Sequence, residues 1–400
     1  MTDTALTDFA NDHRHDDVED LLLHASRYPH VDVKAAAVQI QGWQIARQKL
    51  PTWAATEGIL YPPHLSMEQC SSESTARYKL ELAQRICQGH LERLADLTGG
   101  FGVDGAMMAR AFSHYLYVER QKQLCDLARH NLPLLGISHS TVCQSSCEDV
   151  IPGIDDYDLI YLDPARRDGH GGKVAAIADC TPDILTLLPS LRKKARKIMV
   201  KLSPMLDVKE TLRQLQAVEE IHVVALHNEC KELVVVMGGG DVSSSQISTV
   251  VHAVNLPNCQ DFSFTLDEER EAQPVYAANL GTYLYEPHVA LMKAGAFRLL
   301  SVRYGLKKLH FSSHLYTANE LQENLPGRIF RVERCEVFTS KVSKVFSGLG
   351  KANVAVRNFP MRAELLRQRL RLRDGGDTYL FGTTLSDGKK VVIQCGKITQ

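Results

Sequence analysis

The sequence has ten cysteines but no CxxC pair. Neither a disulfide framework nor a zinc site is expected, and the thiols read as reduced side chains of a cytoplasmic protein with no bound metal. Long apolar runs are also missing: none approaches the roughly 20 residues that span a bilayer, so no membrane partner is expected. The first twenty residues carry seven acidic side chains and one arginine, unlike a secretory leader. Net charge is scarce too, at −1 over 400 residues, yet it is unevenly spread. From Lys293 to Arg373 there are 17 lysines and arginines against five acidic residues. That asymmetry suits a C-terminal surface that meets a polyanion, and equally a solvated basic face.

A chain of this length holds more than one domain. Residues 1–90 read as helical, because Val18–Tyr28, Ala35–Leu50 and Ser74–Gln88 place apolar residues three and four apart. Ser72 or Ser74 is placed to cap the last of these. From Leu91 the period changes. Short apolar runs at Arg93–Leu97, Tyr115–Val118, Ser140–Gln144, Leu159–Leu162 and Lys197–Leu202 predict buried strands, the early ones separated by helices. That alternation indicates a parallel α/β sheet, doubly wound and Rossmann-like. Ile221–Leu226 and Leu233–Met237 are too close for a crossover helix and predict an antiparallel hairpin at the sheet's end. A parallel sheet ending so is the class I methyltransferase arrangement. Beyond it, Thr249–Leu266 predicts strands, Asp267–Ala278 a polar connection, and residues 281–325 a mostly helical stretch with Pro287 in a first helical turn. Residues 326–400 read as a small α/β unit closed by a hairpin at Ser386-Asp387-Gly388. The boundaries are therefore 1–90, 91–270, 281–325 and 326–400.

The segment Ala95–Gly105 (ADLTGGFGVDG) follows a predicted strand and opens a helix. Gly99, Gly100 and Gly102 would let the backbone turn sharply and approach a ligand closely; Thr98 and Phe101 belong to the same binding loop. Asp96 stands at the strand end, where a carboxylate can accept hydrogen bonds from an ammonium. The next strand ends at Glu119, 23 residues further on, a separation at which an acid can accept from both ribose hydroxyls. A dinucleotide site would place a GxGxxG pattern here, and GGFGVDG is read as having no glycine spaced to match it; a dinucleotide would also lay its pyrophosphate at the helix N-terminus, between Asp96 and Asp104, whose charges would repel it. The acidic rim suits a cationic sulfonium nucleoside better. The third strand ends at Gln144–Asp149 (QSSCED), where an adenine would lie. Ser146 aligns with the adenine-contacting residue and Cys147 stands beside it, although Asp149 fits a helix cap and Cys147 an inert buried thiol as well.

The fourth strand ends in Asp163-Pro164-Ala165-Arg166-Arg167. Ligands of open α/β sheets bind at the carboxyl ends of strands. Pro164 restricts the backbone and has no N–H, which would hold the Asp163 carboxylate in the crevice, where it is expected to contact the cofactor as well as the acceptor. Arg166 or Arg167 would grip a phosphate or carboxylate. The glycine-rich loop Asp168–Lys173 reads as a flap, and its His170 as a solvent-facing residue rather than a base. The fifth strand ends at Lys201-Leu202-Ser203-Pro204, with Lys201 placed to face the crevice.

Taken together, SSESTARYK (Ser71–Lys79), DLTGGFGVD (Asp96–Asp104), YLDPARR (Tyr161–Arg167) and VKLSP (Val200–Pro204) resemble a bacterial family of class I methyltransferases dependent on S-adenosyl-L-methionine. The family carries a ferredoxin-like piece and a C-terminal THUMP-like domain. PGRIFRVER (Pro326–Arg334), NVAVRNFP (Asn353–Pro360) and LRDGGDTYLFGTT (Leu372–Thr384) resemble that domain, and the ferredoxin-like piece would correspond to about 281–325. The resemblance implies an enzyme acting on nucleic acid, with RNA as partner, because true THUMP domains bind RNA.

Asp163-Pro164 also resembles the DPPY-type signature of enzymes that methylate base amino groups. Here Ala165 replaces the second proline and Arg166 the aromatic that would stack on a flipped base. DPAR is closer to the DPPR of pyrimidine C5 methyltransferases, but Leu202 stands where their cysteine nucleophile would be, so the covalent route is rejected. Direct transfer remains, with Asp163 orienting the acceptor or taking its proton, Pro164 holding it, and Arg166 positioning substrate. A protein or small-molecule acceptor, and a cofactor-binding module without chemistry, are the alternative readings.

Overall fold

The computed structural model describes residues 4–166, 177–240, 248–258 and 260–398. Two compact units are formed, one from Met1–Ile221 with Glu232–Ile247, the other from His222–Lys231 with Ser248–Gln400.

In the first unit the N-terminal helices form where the periodicity predicts them. Helix Val33–Lys49 starts at Asp32, whose carboxylate accepts from the Ala35 N–H at 3.0 Å. Tyr61 lies directly on its backbone at Gly42, where a Cβ would stand 2.2 Å from the Tyr61 Cβ. Helix Glu73–Cys87 is capped by Ser72 and buries Ala76, Leu82, Ala83 and Ile86. Lys79 lies in the same buried stripe and is fully buried, which a helix tolerates only if its charge is matched.

The strands follow: β1 Arg93–Asp96, β2 His114–Glu119, β3 Ser140–Gln144, β4 Tyr157–Leu162, β5 Ala165–Arg166, β6 Cys180–Thr181, β7 Ala195–Leu202, β8 Val218–Leu226 and β9 Glu229–Gly238. Among the described residues β5 and β6 pair only with each other. The other strands run in the order β8-β9-β7-β4-β1-β2-β3, with His222–Lys231, which include the β8–β9 turn, counted in the second unit. β7, β4, β1, β2 and β3 are parallel, and β9 runs antiparallel to β7. All six residues of β4 are buried, as a central parallel strand covered on both faces requires. His227 and Asn228 alone join β8 to β9, at φ of 51° and 62°, so the predicted hairpin closes through a primed turn. Strand order reverses between β1 and β4, which places the ligand crevice at the ends carrying Asp96 and Asp163.

In the second unit β10 (Val250–Leu256) and β11 (Gln260–Thr265) form an antiparallel hairpin. The expected polar connection after it contains a helix, Leu266–Glu271, closed by a Thr265/Glu268 capping box. The eight-stranded sheet comprises β12 Val275–Tyr276, β13 Tyr283–Pro287, β14 Lys307–Lys308, β15 Tyr316–Ala318, β16 Gly327–Val337, β17 Asn353–Arg357, β18 Thr378–Thr384 and β19 Lys390–Lys397. Its order is β12-β14-β15-β13-β16-β19-β18-β17. The mostly helical expectation for 281–325 is thereby corrected: helices Val289–Ala294 and Phe297–Arg303 are flanked by three strands. Pro287 ends β13 and His288 caps the helix. The alternation TYLYEP pairs with β15 and β16 on either side, and that ladder outweighs local helical spacing. Among the described residues no helix is long and apolar enough to cross a membrane.

Candidate active site

The loop after β1 is threaded between its neighbours. The Leu97 N–H donates to the Tyr161 carbonyl at 3.1 Å, and the Gly99 N–H to the Val118 carbonyl at 2.8 Å. A Cβ on Gly99 would meet the Tyr117 ring at 2.2 Å, and Gly100 and Gly102 sit in the left-handed region at φ of 55° and 86°. Glu119, at the end of β2, reaches back to the loop. Its Oε2 accepts from the Gly100 N–H at 3.0 Å and its Oε1 from the Gln121 N–H at 2.8 Å. Each oxygen retains capacity for a further hydrogen bond. The Tyr117 hydroxyl donates to the Gly100 carbonyl at 2.6 Å, and the Phe101 ring lies 4.7 Å from that of Trp53. Asp96 is buried, with Oδ1 accepting from the Thr98 N–H at 3.0 Å. Burial pushes its carboxyl up to about 8; the Thr98 N–H opposes the shift, while the nearby acids Asp104, Asp163 and Glu119 add to it.

Thr98 ties β1 to β4: its Oγ1 accepts from the Asp163 N–H at 2.6 Å. The Asp163 side chain leaves β4 toward β7, where the Lys201 ammonium stands 2.5 Å from Oδ2. Beneath this pair lies a buried polar floor. Asp104 accepts from the Ser71 and Tyr161 hydroxyls, each at 2.7 Å, and lies 3.2 Å from the Lys79 ammonium and 3.7 Å from Lys201. Lys79 also donates to Glu232 of β9. Burial alone would raise Asp104, but the two ammonium groups and two hydroxyls hold it below the usual carboxylate range. Burial raises Glu232 against the pull of Lys79. It would lower Lys201, yet Asp163, Asp104 and Glu232 keep that ammonium above its ordinary value.

Above the floor opens a cleft of about 210 Å³. Its walls include Asp96–Asp104, Val118–Gln121, Ser145, Cys147, Glu148, Tyr161, Asp163 and Ala165, with Ser66, Gln69, Cys70 and Ser71 from the N-terminal region.

A crystal structure of a Porphyromonas gingivalis W83 protein designated a methyltransferase matches with 37% identity and a TM-score of 0.87, over 99% of this chain and 98% of that one. The chain belongs to the same family. Family models agree at the C-terminus, with a ferredoxin-like domain over residues 283–326 and a THUMP domain-like match over 327–397. The fold is thus the class I methyltransferase α/β fold with a THUMP-like C-terminal domain. More distant solved structures include a SAM-dependent methyltransferase from Agrobacterium tumefaciens (15% identity, 43% of this chain, 64% of that one, TM-score 0.33) and an rRNA methylase from Streptococcus thermophilus (13%, 42%, 96%, 0.31). At those scores neither carries weight. No curated protein matches by sequence.

Measured against this methyltransferase cleft, the sequence reading divides. Asp96, Thr98, Gly99, Gly100, Phe101, Gly102, Glu119, Cys147 and Asp163 all line it. Ser146 does not: its Oγ accepts from the Asp149 N–H at 3.2 Å as the cap of helix Cys147–Val150, and Ser145 and Glu148 take the wall instead. Asp149, the other candidate cap, is the residue being capped. Pro164 is buried next to Asp163 but does not line the cleft. Arg166 pairs through its backbone with Cys180; Arg167, the loop 168–173 and His170 lie outside the described residues.

Gly100, Gly102 and Gly105 fall at GxGxxG spacing, so glycine spacing alone does not separate a dinucleotide from other nucleotides. Asp104 is compensated by two lysines and presents no free charge, so Glu119, and Asp96 once it gives up its proton, remain as partners for a cation. Sequence reasoning missed Lys79 and Glu232. The available signals were a lysine inside an apolar helical stripe and a glutamate opening the apolar run LVVVM.

Proposed function

We propose that this chain transfers a methyl group from S-adenosyl-L-methionine directly to RNA in the cytoplasm, without a cysteine nucleophile. The observation that carries the cofactor is the pair of acids bracketing the loop. Glu119 has both oxygens oriented by backbone N–H groups, as acceptors for two ribose hydroxyls. Asp96 is a buried carboxyl at the other end, suited to an ammonium. The fit is also steric: a Cβ on Gly100 would find no atom closer than the Thr98 carbonyl at 3.8 Å, so space lies open over the loop.

When bound, the cofactor supplies a methyl group on a positively charged sulfur. The chain's own residues do the rest. Asp163, at the switch point and a third exposed, orients the acceptor and takes its proton. Thr98 fixes the backbone at Asp163; the Arg166 side chain, read from the sequence as a substrate contact, lies outside the described residues. Burial pushes the Cys70 thiol up to about 11 and the Cys147 thiol up to about 12. At neutral pH both are protonated and poor nucleophiles, which favours direct displacement.

RNA is supported by the THUMP-like match and by the charge of that region. Arg331, Arg334, Lys341, Lys344, Lys351, Arg362, Arg369, Arg371 and Arg373 are all exposed. Calorimetric titration with S-adenosyl-L-methionine tests the cofactor, and a folded chain that fails to bind it ends the reading. Mass spectrometry of methylated nucleosides from cells with and without the gene tests the acceptor. Binding to bulk bacterial RNA should weaken steeply with salt; flat salt dependence would redirect the search to protein or small-molecule acceptors.

A further inference from the structure

We propose that Lys201 is the positioning residue for Asp163, fixing one carboxylate oxygen so that the other receives the proton of a neutral N–H or O–H acceptor. The inference rests on the methyltransferase reading and narrows its acceptor class.

The Lys201 ammonium has three protons and three oxygen partners: Asp163 Oδ2 at 2.5 Å, Ser71 Oγ at 3.3 Å and Asp104 Oδ2 at 3.7 Å. Asp104 is itself held by Lys79, Ser71 and Tyr161, and Lys79 by Glu232. The series has a direction. Side-chain exposure rises from 0% at Lys79 to 7% at Asp104, 12% at Lys201 and 35% at Asp163. Asp163 is therefore the member that meets an acceptor, and Lys201 acts through it. Among the described residues none donates to Asp163 Oδ1. Burial raises the Asp163 carboxyl and Lys201 opposes that rise, so the ammonium acts in favour of the proton-accepting form.

The acceptor class follows from charge. A cationic acceptor would compete with Lys201 for Asp163 and has no lone pair to attack with. An anionic one would meet the Asp163 and Glu119 carboxylates. A neutral nitrogen or oxygen bearing hydrogen suffers neither penalty. In the transfer it bonds to the methyl carbon, the carbon–sulfur electron pair stays on sulfur, and its proton passes to Asp163 Oδ1 and then to water.

The test is carboxyl carbon NMR on aspartate-labelled protein without cofactor, with D163N assigning the Asp163 signal. K201M should raise the Asp163 titration midpoint by about one pH unit or more, a tenfold change in ionised fraction, whereas K201R should leave it near wild type. An unmoved midpoint in K201M overturns the proposal. Wild-type protein supplies a second reading, needed if K201M does not fold: the Lys201 Cε signal should move at the pH where Asp163 titrates. Independent titration of the two overturns it as well. Neither measurement depends on methyl transfer. A chain that passes them yet alters no methylated nucleoside would refute the RNA reading and leave the Lys201–Asp163 pair standing.

Discussion

Asp96 makes cofactor affinity depend on pH in a direction that can be worked out. Burial moves its carboxyl from an ordinary 3.8 to about 8. The empty cleft at neutral pH therefore holds a mostly protonated Asp96, whereas an ammonium needs the carboxylate. Binding must expel the proton, and the apparent affinity follows the ionised fraction. That fraction is about 1% at pH 6 and about half at pH 8, so the apparent Kd should fall roughly fifty-fold across the interval, near tenfold per unit at its acidic end. Calorimetry at pH 7 in buffers of different ionisation enthalpy should find close to one proton released per ligand bound. D96N should bind weakly and lose the slope. The same shift acts on folding with a definite sign. The folded chain keeps a proton that the unfolded chain gives up above about 4, so the empty fold loses stability as pH climbs from about 4 to about 8. Equal affinities at pH 6 and pH 8, or tighter binding at pH 6, would refute the reasoning.

Three further outcomes are expected. E232A leaves the buried Lys79 ammonium without its Glu232 partner, and should cost about 3–5 kcal/mol in urea unfolding; K79M/E232L, which removes both charges, should cost less. G99A forces a methyl group against the Tyr117 ring and should cost about 1–3 kcal/mol, with loss of cofactor binding measured by calorimetry. D163N should abolish methyl transfer, read by nucleoside mass spectrometry, while cofactor affinity stays within a few-fold of wild type; equal loss of both would assign Asp163 to the cofactor.

The sheet was legible because short apolar runs alternate with period-3.6 segments from Arg93 to Leu202, and the glycine loop because Gly99, Gly100 and Gly102 answer to steric need. The turn His227-Asn228 was not, since neither residue advertises a positive φ as Gly does. Nor was β13, whose place between β15 and β16 depends on partners distant in sequence. Ser146 illustrates a limit of resolution: capping and ligand contact draw on the same residue types at strand-to-helix junctions, and one position separates them. Lys79 and Glu232 were hidden for a different reason. Each looks like a surface charge until its partner, 153 residues away, is brought beside it.

That long-range pairing decides what the N-terminal helices are for. Ser71 and Lys79 precede the first strand, yet they satisfy Asp104 and Glu232, which sit beneath the cleft. Ser71 Oγ is within 3.4 Å of the Lys79 and Lys201 ammonium groups and within 2.7 Å of Asp104. A chain beginning at Leu91 would keep every strand of the parallel sheet but leave Asp104 and Glu232 with one lysine in place of two and strip off the apolar stripe of helix Glu73–Cys87. An uncompensated buried charge costs several kcal/mol, a large part of the stability of an ordinary domain. Such a truncation should express as insoluble or unfolded protein by amide NMR. K79M in the full chain should lower the unfolding midpoint through the same loss. A trimmed chain that folds and binds S-adenosyl-L-methionine would mean that the polar floor is dispensable, and that the helices serve some end other than completing it.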